Sequence, residues 1–204
     1  ISTKQIIGER QQNGVTRFGN INDFEVYNFG HLFTAACLHK RITGKDNFLD
    51  IAKKAAAYLS RMYQESARTG NVQTAVCPSH YMGLIELYRT TGEKQYLDNA
   101  VMAADYTMNT ISGTFDLLPF ETGAEQGIYT AVFAQYIAML VYDCDQTQYI
   151  PFVKRNINYG WANRDKTRDI CGGDYTKLQV EGDAVESYSA SGIPALMLLF
   201  PTDK

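Results

Sequence analysis

RITGKDNFLDIAKKAAAY at residues 41–58 returns 48 residues later as RTTGEKQYLDNAVMAADY at residues 89–106, with nine of eighteen positions identical. A repeat of this length is one supersecondary module that cannot cover its own apolar face and must stack against neighbours. Gly44 and Gly92 follow an Arg-x-Thr that ends an apolar run, and glycine there takes the left-handed conformation that closes a helix. Past the turn, Phe48, Ala52, Ala55, Leu59 and Met62 step by four, three, four and three. That is the stripe of an amphipathic helix, with Asp46 placed to cap it. Before the second turn, Tyr81, Leu84, Ile85 and Tyr88 make another helical stripe, so each unit reads as an αα-hairpin.

A degraded third copy runs through LVYDCDQTQYIPFVKRNINYGW, residues 140–161. Tyr149 and Tyr159 keep the ten-residue spacing of Tyr96 and Tyr106, and Ile150, Val153, Ile157 and Trp161 supply the expected buried stripe. Its turn is one residue shorter and has no glycine, while Pro151 suits the first turn of a helix. Tyr129, Phe133, Tyr136 and Leu140 mark the partner helix. The fold class is therefore all-α: stacked αα-hairpins, forming an (α/α) toroid or an open, partial version of one.

Composition fits a folded globular domain, with 45% hydrophobic and 20% charged residues. A formal charge of −3 and the lack of a basic run give no footprint for nucleic acid, and no apolar run has the length of a membrane span. Cys37, Cys77, Cys144 and Cys171 are widely spaced, which reads as buried free thiols rather than a disulfide framework. Cys77 and His80 stand at C-x-x-H spacing; this places either two ligands near one metal or a thiol followed by a hydrogen-bonded imidazole. With no further ligands evident, no metal and no cofactor are expected.

The run from Asp23 to Leu59, followed by residues 77–106, resembles the amino-terminal helical region of family-127 type glycoside hydrolases, bacterial β-L-arabinofuranosidases and relatives with an (α/α) barrel. The resemblance rests on E-x-Y-x-x-G-H at Glu25, Tyr27, Gly30 and His31, the E-L-Y-R-x-T-G-E turn, and the Y-L-D that follows. Phe24 stands where the family pattern has His, and Val76-Cys77-Pro78-Ser79 where it has G-H-P-E. The second half, FETGAEQGIYTAVFAQYIAML (120–140), NYGWANRD (158–165) and VESYSASGIPALMLL (185–199), resembles the carboxy-terminal part of family-76 α-1,6-mannanases, also helical toroids. The changeover falls at residues 109–119, where Gly113 and Pro119 suit a linker. These readings divide the chain into an extension at 1–20, hairpin repeats at 21–110, and hairpins continuing the same toroid at 111–204.

Glycoside hydrolysis uses two carboxyl groups flanking the scissile bond. The family-76 resemblance implies an adjacent Asp-Asp pair, which this sequence lacks. The family-127 resemblance implies a zinc-bound cysteine nucleophile with a glutamate acid, downstream of the matched part. Catalytic residues are accordingly left unassigned. The candidates for substrate contact are Glu25, Tyr27, His31, His80, Tyr81, Glu121, Glu125 and Trp161. Asp23 and Glu25 sit at a helix start, where capping competes with any sugar contact. Glu121 and Glu125 stand beside Gly123 and Gly127, a loop pattern, and toroid loops line the substrate cleft. His31 is either a satisfied wall histidine or a contact of the G-H motif. Trp161 and the tyrosines offer aromatic faces for sugar rings.

The expected function is that of a glycoside hydrolase-like protein, or a fragment of one, acting on plant or fungal polysaccharide in the periplasm or outside a bacterial cell. The alternative is a non-catalytic module that binds carbohydrate or a protein partner. The 48-residue period exceeds the ~34 residues of a tetratricopeptide unit, which counts against the protein scaffold. Four hairpins account for the chain, where a closed barrel takes six or seven. The sequence is thus read as truncated, composite, or a small domain whose exposed terminal hairpins self-associate.

Overall fold

A computed structural model describes residues 25–70, 80–119 and 128–201. Asp23, Phe24, Cys77, Glu121, Glu125 and the extension at 1–20 lie outside the described residues, as do the side chains of Glu25 and His80. Among the described residues there are seven α-helices and no strand: α1 Glu25–Thr43, α2 Asn47–Arg68, α3 His80–Thr91, α4 Lys94–Tyr106, α5 Ile128–Tyr142, α6 Ile150–Ala162 and α7 Ser187–Leu199. They pack as hairpins, the construction of (α/α) toroid-type folds. The chain forms two compact units, residues 1–100 and 101–204, dividing inside α4.

In the first unit both predicted glycine turns are present. Gly44 and Gly92 each have φ 71°, and their amides donate to the carbonyls of Lys40 at 2.9 Å and Tyr88 at 2.7 Å. Such bonds satisfy carbonyls that a helix end leaves open. Asp46 occupies the expected cap position, its carbonyl accepting from the Asp50 amide. Its carboxylate, however, pairs with Lys40 at 2.8 Å. The α2 stripe is centred one residue from the expected line, on Leu49, Ala52, Ala56 and Leu59. Helix α3 is buried almost all round from Gly83 to Leu87, wider than the predicted stripe, because α1 packs closely along it.

That close approach is set by glycine. A Cβ on Gly83 would lie 2.7 Å from Phe33 Cβ and 2.8 Å from the Gly30 carbonyl oxygen. Eleven residues further along α1, Arg41 donates to Glu86 Oε2 at 2.6 Å and to Thr90 Oγ1 at 3.3 Å. Both contacts advance in the same chain direction, so α1 and α3 run parallel with α2 as the return. Arg89 donates to the other Glu86 oxygen at 2.8 Å, leaving this buried carboxylate held by two arginines. Glu86 and Arg89 of the E-L-Y-R segment are thus used to fasten helices.

The second unit repeats the scheme. Gly192 of α7 faces Thr130 of α5, and Phe200 just beyond α7 meets Tyr142 at the end of α5, ring centroids 5.4 Å apart. Helices α5 and α7 are therefore also parallel, with α6 between them in sequence. Pro151 falls in the first turn of α6 as predicted. The glycine-free turn before it is closed by Asp145 at φ 59°, and the buried Tyr149 hydroxyl donates to Asp105 at 2.8 Å.

Two expected stripes shift. On α5 the buried residues are Thr130, Ala134, Ile137, Ala138, Leu140 and Val141, whereas Tyr129 is exposed and Phe133 and Tyr136 are half-buried. Close parallel packing favours small side chains on the contact line and displaces large rings to its flanks. On α6 the buried face is Phe152, Val153, Asn156, Ile157 and Gly160. Trp161, expected in that stripe, is 38% exposed: it lies past Gly160, the residue at which α6 meets Ile193 of α7.

Candidate functional site

Three predicted contact residues share one end of the first unit. Because Gly30 and Gly83 meet and their helices are parallel, Tyr27 and His31 of α1 lie at the same end as Tyr81 of α3. Tyr27 and His31 are edge to face, ring centroids 4.5 Å apart at 77°, and His31 is exposed. Glu25 and His80 open these two helices, which places their backbones at that end too. Tyr63 of α2 joins the set: burial pushes its phenol well above the usual tyrosine range, and the neighbouring Tyr81 adds to the shift. Tyr63 follows Met62 of the predicted stripe, and nothing in its spacing marks its electrostatic coupling to Tyr81. The array is aromatic with an imidazole, suited to stacking and hydrogen bonding. The Arg41–Glu86–Arg89 cluster stands about 15 Å from His31 and about 21 Å from Tyr27 along α1, at 1.5 Å per residue.

In the second unit Trp161 is prepared differently. The Arg164 guanidinium carbon lies 4.0 Å from the centroid of the Trp161 ring, a cation over an electron-rich face. Arg164 is itself held: its Nε donates to Asp169 Oδ1 at 2.7 Å and its Nη1 to the Trp161 carbonyl at 3.0 Å. Beneath this surface Asp165 is buried, accepting from the amides of Thr167 at 2.8 Å and Arg168 at 3.2 Å and from the Arg168 side chain. Burial pushes the Asp165 carboxyl up, but the Arg168 hydrogen bond and the two amides outweigh it and hold the group below its ordinary value. Residues 162–170 thus form a folded platform that fixes Arg164 over the indole, leaving an aromatic surface with a polar rim.

The zinc-bound cysteine implied by the family-127 resemblance has no counterpart among the described residues. No three His, Cys, Asp or Glu side chains there are gathered as a metal site requires. Cys37, Cys144 and Cys171 are all buried. Burial pushes the Cys37 and Cys171 thiols up, which keeps a thiol protonated and inert rather than activated as a nucleophile. Among the described residues the thiols are therefore not gathered with the further ligands that group requires.

No curated protein matches the chain. The family described as β-L-arabinofuranosidase, GH127 catalytic domain, matches residues 2–183. The match covers the first resemblance and also residues 109–119 and 120–140, where the sequence reading placed a linker and the start of a second family. Since it takes in most of the sequence, the chain belongs to the β-L-arabinofuranosidase GH127 catalytic-domain family.

Proposed function

We propose that this protein is a glycoside hydrolase that cleaves arabinofuranosidic bonds in plant or fungal polysaccharide, working in the bacterial periplasm or outside the cell. The observation that carries this reading is the family match over residues 2–183. The aromatic surfaces support it: Tyr27, His31 and Tyr81 at one end of the first unit, and Trp161 with its fixed guanidinium in the second, are suited to hold sugar rings by face and hydroxyl. Glu25 and His80, at the helix starts beside Tyr27 and Tyr81, and Glu121 and Glu125 are further contacts in this reading.

Release of the aryl group from an aryl β-L-arabinofuranoside tests it, with α-1,6-mannan as the comparison substrate. Turnover of the arabinofuranoside is expected. A protein that binds sugar and turns over neither substrate would be the non-catalytic carbohydrate module. If it is inert and also binds no saccharide, the carbohydrate reading fails.

A further inference from the structure

Between α4 and α5, residues 112–118 are strapped onto α6 by three separate ties. The Leu118 amide donates to the buried Asn156 Oδ1 at 2.8 Å, Asp116 forms an ion pair with Arg155, and Phe115 stacks on Tyr159 with ring centroids 5.7 Å apart and planes 22° from parallel. The residue this segment buries is Leu117, 2% exposed, while Phe115 is 59% exposed. Phe115 and Asp116 are both left-handed, at φ 64° and φ 54°, a conformation that glycine or asparagine enters more easily than phenylalanine. A connecting segment that needed only to cross α6 would not hold a large ring outward in that conformation.

The separation of the two rings exceeds the roughly 3.5–4 Å of full face-to-face contact, so they overlap only in part and leave a stepped aromatic surface. Arg155 and Asp116, both exposed, stand at its edge with donors and acceptors facing solvent. Tyr159 and Trp161 flank the buried stripe of α6 on opposite sides, because two residues turn a helix through about 200°. The Phe115 surface is thus distinct from the Trp161 platform.

Resting on the carbohydrate reading above, we infer that Phe115 and Tyr159 form a second saccharide subsite, which takes one ring of a neutral oligosaccharide with Arg155 and Asp116 at its hydroxyls. Stacking suits the C–H face of a sugar ring. The paired charges cancel, favouring a neutral ligand over an anionic or cationic one. One exposed Phe and one half-buried Tyr offer at most on the order of 200 Å², well short of the ~800 Å² per partner of a stable protein interface.

The test is a titration of full chain labelled with 13C-tyrosine and 15N-tryptophan, using methyl β-L-arabinofuranoside and arabinan oligosaccharides. The Tyr159 ring resonance, assigned with Tyr159→Phe, is expected to shift. In Phe115→Asn, which suits the left-handed backbone and removes the ring, the shift should fall at least fivefold with no loss in Tm. If the Trp161 indole signal responds while the Tyr159 ring does not, the subsite is overturned and the carbohydrate reading stands. A lowered Tm in Phe115→Asn also overturns it, by making the ring a structural prop. Silence at both rings with every saccharide overturns the two together.

Discussion

The crossing of α1 with α3 and that of α5 with α7 are two solutions to one geometric problem. Each brings the first and third helix of a unit together in parallel, and each places a glycine of the third helix against the first. In the first unit Gly83 meets the Gly30 carbonyl and Phe33 Cβ, so the space is filled by the neighbouring helix itself. In the second, Gly192 leaves room for the Tyr175 hydroxyl, 2.7 Å from where its Cβ would lie, beside Thr130. Tyr175 comes from the segment between α6 and α7, which also holds Trp161's partner Arg164. The same crossing therefore joins two helices in one unit and anchors the platform segment in the other.

The largest effect expected follows from what each glycine touches. Gly83→Ala drives a methyl into a backbone oxygen and a Cβ, atoms that move only if a helix moves, and should cost about 2–3 kcal/mol. Gly192→Ala meets a hydroxyl and a threonine side chain that can shift by a few tenths of an ångström, and should cost about 1 kcal/mol. Chemical denaturation of the two variants gives the difference directly. Equal losses would mean that the two crossings are equally rigid. Gly192→Ala should also disturb the Trp161 fluorescence, since Tyr175 anchors that segment, whereas Gly83→Ala should leave it unchanged.

A second contrast lies in the polar fastening. Glu86 joins two arginines that are each more than a third exposed, and water screens much of what such pairs contribute. Asp165 is buried and organises two amides and Arg168. Its carboxyl is held below the ordinary value, so its contribution is present above the unfolded value of about 3.9 and is lost as pH falls through the lower folded value. Asp165→Asn should lower Tm by several degrees at pH 7. The gap to the parent should close only well below pH 4, as thermal melts across pH 2–7 would show. A gap that stays constant with pH would mean that the shape of the side chain, not its charge, folds the segment.

How much of this was legible in the sequence depended on whether the deciding contact was local. Gly44 and Gly92 announced their turns because a positive φ is a property of one residue, and both are found at 71°. Helix identity on α2, α5 and α6 likewise followed from spacing. Which face is buried did not always follow, because neighbours decide it. Tyr129, Phe133 and Tyr136 looked like a core stripe, yet Thr130, set against Gly192 of α7, and Ala134 and Ala138 are buried instead. Trp161 continued the α6 pattern in period but falls on the flank of the buried face, and Arg164, three residues on, lies over its ring. At the candidate site, the E-x-Y-x-x-G-H spacing pointed to Tyr27 and His31 but concealed that its glycine is the crossing point with Gly83. The electrostatic influence of Tyr81 on Tyr63 carries no sequence signal, since the two residues lie on different helices.

The smallest effect separates the first two copies of the repeat from the third. Gly44, Gly92 and Asp145 all close turns in the left-handed region, and a Cβ at either glycine would meet open space. Any cost of substitution there is therefore conformational rather than steric. Gly92→Ala should cost about 1 kcal/mol. Gly92→Asp should cost only about 0.5, because aspartate tolerates this region better than alanine. Asp145→Gly should fall within about 0.5 kcal/mol of the parent, since relieved strain is offset by the greater freedom of the unfolded chain. Denaturant midpoints of these variants would rank them. If Asp145→Gly were instead strongly destabilising, the aspartate side chain would be making a contact of its own, and the third copy would differ from the first two in more than its turn residue.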